Sequence, residues 1–190
     1  MRLPKRSASI RFHGFAALDW YKDHQYIPIE NHFSHVFICL NRIVTKDRSY
    51  RLNLVANLIE QGLVPTTYSI DQPGLVSLQL EDEASHWRKE IVDQKSSLSK
   101  QARLLIYKNI SQLKQPLVLD QPNPKGFLSA DTDFKLEKSA LWNVVTETVF
   151  YHNKLHLTEK IFKPIVSHRP FILVGAPGNL AYLKSYGFKT

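Results

Sequence analysis

The sequence is poor in cysteine and has no long apolar run. Its one cysteine, Cys39, cannot form a disulfide within the chain, and the apolar run VFICL around it is the usual setting of a buried thiol. No run of about 18 apolar residues occurs, and the basic residues of MRLPKRSASIR are not followed by an apolar signal segment. We therefore expect a soluble, cytoplasmic protein with no membrane span.

The two common phosphate-binding motifs are also absent. Neither GxGxxG nor GxxxxGK[ST] occurs in the sequence, which disfavours a standard dinucleotide fingerprint and a P-loop. Internal repeats and low-complexity tracts are missing as well, so a solenoid or a fibre is disfavoured. The 190 residues, 43% hydrophobic and 22% charged, are enough for about one globular domain with its own core.

Positive charge is in excess. The chain has 25 Lys and Arg against 17 Asp and Glu, a formal net charge of +8, which favours anionic partners such as nucleotides, phosphorylated sugars, nucleic acid or acidic lipid. The charge is unevenly spread, because the segment EDEASHWRKEIVD at 81–93 is locally acidic. This patchy distribution weakens the prediction of a nucleic-acid interface, which usually forms one basic stripe.

Strand and helix patterns alternate from residue 36 onward, whereas residues 1–35 show no sustained periodicity and are expected to be either irregular or the tail of an element whose partners are absent. Strand, helix and strand in succession predict an α/β fold with a parallel sheet over 36–190. Residues between the second strand and about 97 are expected to form a loop, with or without a short helix. The predicted strands are VFICL (36–40), TTYSI (66–70), LVLD (117–120), SALWNVVTETVF (139–150) and a buried RPFILVG (169–175), and the predicted helices are 48–62, closed by Gly62, 97–115 and one from near Pro177.

Ligands of parallel α/β sheets bind where the carboxyl ends of the strands lead into the following helices. We therefore expect the chemistry of this protein to lie within residues 41–48, 147–160 and 175–179.

The segment LHLTEKIFKPI (155–165) is the strongest local signal. Thr158 is a good helix N-cap, which makes Glu159 and Lys160 the first helical residues and leaves backbone N–H groups for an anion. The alternative is that Glu159 only complements the helix dipole and that Lys160 is solvated. Pro164 predicts a short or bent helix.

Two further groups of polar residues fall in the expected regions. Asn41, Arg42, Lys46 and Arg48 follow the first strand, where the side chains either clamp a diphosphate or form a solvated basic loop. Glu147 ends a predicted strand twelve residues before Glu159, so the two carboxylates either share one cleft or lie apart on the surface. His152 and His156 have HxxxH spacing, but their segment is not helical in pattern and we predict no metal site.

The order of ICLNR, VTETVF, LHLTEKIFKPI, RPFILVGAPGNL and YLKSYGFKT resembles glycosyltransferase-like proteins of bacteria and tailed phages. It is more distantly similar to the nucleotide-sugar-binding half of the α-1,3-fucosyltransferase family, whose motif reads roughly FEN followed by YVTEK. The resemblance covers about residues 36–190 and implies a Rossmann-like donor-binding domain of GT-B type, without a permanently bound cofactor.

The resemblance also implies roles for individual residues. Glu159 would accept hydrogen bonds from ribose hydroxyls, Lys160 would contact the donor phosphates, and Arg42 would be a second phosphate ligand. Glu147 falls near the family's FEN glutamate, although this sequence reads TET. The family's acceptor domain normally precedes the donor domain and supplies the catalytic base, so residues 1–35 would be its remnant and a partner chain would provide the rest. The domain would be truncated at its carboxyl end.

The expected function is therefore an inverting glycosyltransferase that moves a sugar from a nucleotide sugar to a glycan or other hydroxyl acceptor. One alternative is a nucleotide- or glycan-binding module without catalysis. A second, less favoured, is a basic nucleic-acid-binding protein, which would show strongly salt-dependent binding.

Overall fold

A computed structural model describes residues 15–24, 32–41, 43–44, 46–64, 74–78, 97–110, 134–151 and 153–190. The helices are α1 (Phe15–His24), α2 (Tyr50–Glu60), α3 (Lys100–Ile110), α4 (Phe134–Lys138), α5 (Glu159–Val166) and α6 (Asn179–Ser185), with a 3-10 helix at Lys46–Arg48. The strands are β1 (His35–Asn41), β2 (Gly74–Leu78), β3 (Ala140–Thr146) and β4 (Phe171–Val174). Within these residues, no helix has the length and apolar character needed to cross a membrane.

The described strands form one parallel sheet with the order β2-β1-β3-β4. Helices flank this sheet, so the predicted mixed α/β class with a parallel sheet is confirmed. The register pairs Cys39 with Val76, Ile38 with Asn143, and Val144 with Ile172. Because all four strands run in one direction, their carboxyl ends meet along one edge of the sheet.

The helices α2 and α3 cover one face of the sheet. Leu52, Val55 and Ala56 of α2 are fully buried against Cys39 and other β-strand residues, since positions three and four apart share a helix face. Near the carboxyl ends of the two helices, the Lys108 ammonium lies 2.7 Å from a Glu60 carboxylate oxygen and Asn109 donates to the Ala56 carbonyl at 3.1 Å. The two helices therefore run side by side in the same direction.

The helices α1, α5 and α6 form a second core on the side of β3 and β4. Ile161 and Phe162 of α5 and Leu183 of α6 are almost completely buried there, together with Trp20 of α1. The ring of Tyr21 packs against those of Phe162 and Phe188. This core fixes α5, and with it the candidate site residues at its amino end.

Three expectations about secondary structure were wrong. Irregular structure was predicted for 1–35, but residues 15–24 form α1, because its apolar side chains find a partner surface on α5. The loop predicted before residue 97 contains β2 at Gly74–Leu78. The strand in RPFILVG is parallel as expected but not buried, since β4 is at the edge of the described sheet and Ile172 is 53% exposed.

The predicted strands at 66–70 and 117–120 lie outside the described residues. The strands predicted around VFICL and SALWNVVTETVF are confirmed as β1 and β3, the latter ending earlier, at Thr146. Gly62 follows α2 with φ of +68°, the left-handed conformation that a glycine adopts without strain after a helix.

Candidate functional site

The sheet changes winding direction between β1 and β3. The chain leaves β1 toward β2 on one side and leaves β3 toward β4 on the other, as the order β2-β1-β3-β4 shows. The helices that follow β1 and β3 therefore diverge and leave a crevice at the carboxyl ends of these two strands, which is where ligands of open α/β sheets bind. Asn41 ends β1 here, and Thr146 ends β3.

A buried arginine joins the segments that follow these two strands. Arg51, at the start of α2, is 3% exposed. Its guanidinium donates from Nη2 to the carbonyls of Thr146 (2.9 Å) and Glu147 (3.1 Å), and from Nη1 to the carbonyl of Ile43 (2.9 Å). Charge-assisted hydrogen bonds of this kind are about twice as strong as neutral ones. Arg51 therefore holds the main chain after β1 and the main chain after β3 in a fixed relation.

Tyr50 contributes a second support next to Arg51. Its hydroxyl donates to the Glu147 carbonyl. Burial raises the pKa of Tyr50 above its ordinary value, although the nearby Arg51 charge acts in the opposite direction, so the hydroxyl keeps its proton and remains a donor. Its ring stacks on Phe150 with centroids 4.2 Å apart and meets the edge of Tyr151. The loop after β3 is therefore held both through its main chain and through its aromatic side chains.

The side chain of Glu147 holds the amino end of α5. Glu147 is fully buried, and its carboxylate accepts hydrogen bonds from the Thr158 backbone N–H at 3.1 Å and from the Thr158 hydroxyl at 2.7 Å. Thr158 is the N-cap residue of α5, and its hydroxyl oxygen accepts in turn from the Lys160 backbone N–H at 3.4 Å. The predicted N-cap is confirmed, and its position depends on a carboxylate eleven residues earlier in the chain.

Glu159 and Lys160 lie side by side in the first turn of α5. The Lys160 ammonium is 2.8 Å from a Glu159 carboxylate oxygen, and the two side chains are 29% and 16% exposed, respectively. Burial opposes ionisation of Glu159, but the Lys160 charge and hydrogen bond, a backbone N–H and the Lys163 charge outweigh it and lower the pKa of Glu159. The site therefore offers a charged acceptor and a charged donor at a helix amino end, where anions are favoured.

The other predicted site residues have different surroundings. Asn41 is 1% exposed, and its amide donates to the Cys39 sulfur at 3.3 Å and accepts from the Thr146 hydroxyl at 2.9 Å. It therefore links β1 to β3 inside the sheet. Arg48 lies half-exposed in the 3-10 helix, and its side chain makes no hydrogen bond or ion pair with the described residues. Arg42 lies outside the described residues.

The histidine pair gives no support for a metal site. His152 lies outside the described residues, and the His156 backbone N–H donates to the Asn179 side chain at 2.9 Å in a non-helical segment. In the part of the chain that the structure describes, no group of three His, Cys, Asp or Glu side chains is placed to hold a metal ion.

This chain was compared with protein-family models, with curated proteins and with solved structures, and none of them matches it. The function therefore has to be argued from the residues of the site itself.

Sequence patterns did not reveal the role of Arg51, Tyr50 or the aromatic loop at Phe150 and Tyr151. The sequence pattern predicted a helix around Arg51 but did not indicate its partners, because two of them are main-chain carbonyls about 95 residues away. The one signal in the sequence that α2 has a functional face was the spacing of Tyr50, Asn53 and Asn57, which places three polar side chains on one face of the helix.

The Glu147–Thr158 contact predicts the effect of removing one hydroxyl. In Thr158→Val, Glu147 loses its 2.7 Å hydrogen bond and α5 loses its cap, so the free energy of unfolding should fall by about 1–3 kcal/mol. Equilibrium urea unfolding measures this change. Thr148→Val is a matched control, because no hydrogen bond from the Thr148 hydroxyl to a described residue is present; a change of the same size in that variant would contradict the assignment.

The lowered pKa of Glu159 predicts how stability varies with pH. Because the folded-state pKa lies below the ordinary 4.5, ionised Glu159 stabilises the fold above that pH, and the contribution is lost as pH falls through the folded-state value. The difference in free energy of unfolding between the wild type and Glu159→Gln should therefore be largest near neutral pH and shrink in acid. Urea unfolding at several pH values tests this.

Asp19→Asn is the control for this experiment, because Asp19 is an exposed carboxylate with a 3.4 Å contact to Lys22, and exposed pairs contribute little. A wild-type to Glu159→Gln difference that stays constant or grows as the pH falls would contradict a lowered pKa of Glu159.

Proposed function

We propose that this chain is the donor-binding domain of a glycosyltransferase of GT-B type, which binds a nucleotide sugar in the crevice between the ends of β1 and β3. The main observation in support of the proposal is that hydrogen bonds fix the position of the amino end of α5. There, buried Glu147 fixes Thr158, and the next two residues present a carboxylate and an ammonium group at a helix terminus.

The chemistry of these two groups suits the two halves of a nucleoside diphosphate. A carboxylate has two acceptor oxygens that match the two hydroxyls of a ribose. An ammonium group at the amino end of a helix, where anions are favoured, matches a diphosphate. In the free protein, Glu159 and Lys160 pair with each other at 2.8 Å, so each retains a partner until the ligand replaces it.

The reaction would be a direct displacement with inversion. An acceptor hydroxyl oxygen forms a bond to the anomeric carbon while the bond from that carbon to the diphosphate oxygen breaks, and the diphosphate leaves with the electron pair. Lys160 and the amino end of α5 would stabilise the charge that develops on the leaving diphosphate. The proton of the acceptor would pass to a base, which the resemblance assigns to an acceptor domain.

A nucleotide-binding module without catalysis is the second candidate, and the same residues favour it. It differs from the first only in turnover, so binding without transfer in the presence of acceptors would support it. The nucleic-acid alternative receives less support, because Arg51 is buried against carbonyl groups and is not available to contact a phosphate backbone.

The proposal predicts ligand-dependent stabilisation. A nucleoside diphosphate at about 100 times its dissociation constant adds roughly 2.7 kcal/mol to the free energy of unfolding, which raises the unfolding temperature by several degrees. We expect this shift with one of UDP, GDP or ADP at millimolar concentration, and we expect Glu159→Ala and Lys160→Ala to abolish it. Differential scanning fluorimetry of the full chain measures it.

Lys184→Ala is the matched control, since Lys184 is an exposed cation in the last turn of α6, away from the crevice. A shift that is lost equally in Lys184→Ala would indicate non-specific attraction to the net positive charge. No shift with any nucleoside diphosphate would overturn the proposal.

A further inference from the structure

A cavity lies beside the candidate site and is not explained by it. Its volume is about 340 Å³, and its described lining comes from α2, the start of α3, the loop after β3 and the end of β4. It lies between α2 and the amino-terminal end of α3. Tyr50 both lines this cavity and supports Glu147, so the cavity and the crevice share a wall.

One wall of the cavity is polar. Tyr50, Asn53, Leu54 and Asn57 lie on a single face of α2, because they are three, four and seven residues apart. The Asn57 amide nitrogen donates to the carbonyl oxygen (2.7 Å) and the side-chain oxygen (3.2 Å) of Asn53. That leaves the Asn53 amide nitrogen and the Asn57 amide oxygen without a hydrogen bond to any described residue. A donor and an acceptor therefore lie next to each other on the wall.

The remaining walls combine hydroxyl-bearing, aromatic and apolar side chains. Ser97, Leu98 and Ser99 lie just before α3, Ala102 lies in α3, Phe150 and Tyr151 lie in the loop after β3, and Val174 ends β4. Phe150 and Tyr50 stack face to face at 4.2 Å, so these two rings use their facing surfaces on each other. A nucleobase held between two parallel aromatic faces is therefore disfavoured, whereas the partly exposed rings of Phe150 and Tyr151 can contact the C–H groups of a sugar.

No described residue of the lining carries a charge. A phosphate or carboxylate ligand would meet no cation among these described lining residues, whereas hydroxyl groups would meet amides, which both donate and accept. A volume of about 340 Å³ is also at the small end of ligand sites, roughly 300–1,000 Å³. It suits one sugar ring with its substituents better than a whole nucleotide sugar.

We infer that this cavity binds a neutral hexopyranose through the amides of Asn53 and Asn57. We further assign this sugar as the acceptor of the transfer reaction. That assignment rests on the proposed function, whereas the binding of a neutral sugar by the cavity does not. Because the cavity shares Tyr50 with the crevice, a bound sugar would lie next to the donor site.

The test uses the full chain and a panel of methyl glycosides with gluco, galacto, manno and N-acetylglucosamine configurations. Saturation-transfer NMR detects binding, and titration gives the dissociation constant, expected at about 1 mM for a ligand of this size. Asn53→Ala and Asn57→Ala should each weaken binding by about tenfold. Gln61→Ala, an exposed amide just past α2 and outside the cavity lining, should leave it unchanged.

Three results would overturn the inference. They are no binding by any of the four glycosides to the folded chain, binding that neither asparagine variant weakens, and displacement of the bound glycoside by uridine or guanosine. Nucleoside diphosphate binding that depends on Glu159 is measured on the same preparations, so failure of the sugar site and failure of the donor site are separately visible. Asn57 is exposed, so its replacement by alanine leaves the core intact.

Discussion

The candidate site depends on a buried carboxylate that has no charged partner within bonding distance among the described residues. Burying such a group is costly unless hydrogen bonds replace the lost water, and Glu147 obtains them from the backbone and hydroxyl of Thr158. The interaction connects the residue after β3 to the N-cap residue of α5, which lies eleven positions later in the chain. It therefore determines where the first turn of α5 lies, and with it the positions of Glu159 and Lys160. A helix terminus that is fixed in this way can bind an anion without first being ordered.

Tyr50 and Arg51, at the start of α2, hold the main chain at Glu147 from the other face of the sheet. Tyr50 and Arg51 both donate to the Glu147 carbonyl, and Arg51 also reaches the carbonyl of Ile43 after β1. The strongest donors near the crevice are thus used within the protein to hold loops, and the described groups left for a ligand are those of the α5 terminus and the half-exposed Arg48. Although the chain has a net charge of +8, the buried guanidinium of Arg51 is therefore bonded to main-chain carbonyls and is not available to a partner. Phe150 and Tyr151, which follow Glu147 in the same loop, line the neighbouring cavity.

Features that depend on a few adjacent residues were predictable from the sequence, and features that depend on distant contacts were not. The N-cap at Thr158, the stop at Gly62 and the strands β1 and β3 follow from local patterns. The role of Glu147 was left open between a cleft and a surface position, because its partner is identified only when α5 packs beside β3. Helix α1 was not predicted because its stabilising contacts, those of Trp20 and Tyr21 with the core around α5, are not visible in the local sequence pattern. Asn41 was expected to face a ligand but is satisfied by Thr146, a residue of the adjacent strand.

The measurement that tests the donor site most directly is the mapping of backbone amide shifts in the uniformly labelled chain as a nucleoside diphosphate is added. We expect the largest shift changes at Glu159, Lys160 and Ile161, whose N–H groups lie in the first turn of α5. Smaller changes should follow at Thr158 and in the loop after β1. Changes spread over exposed basic residues such as Lys184 and Lys189, with none in the first turn of α5, would contradict the assignment of the crevice as the donor site.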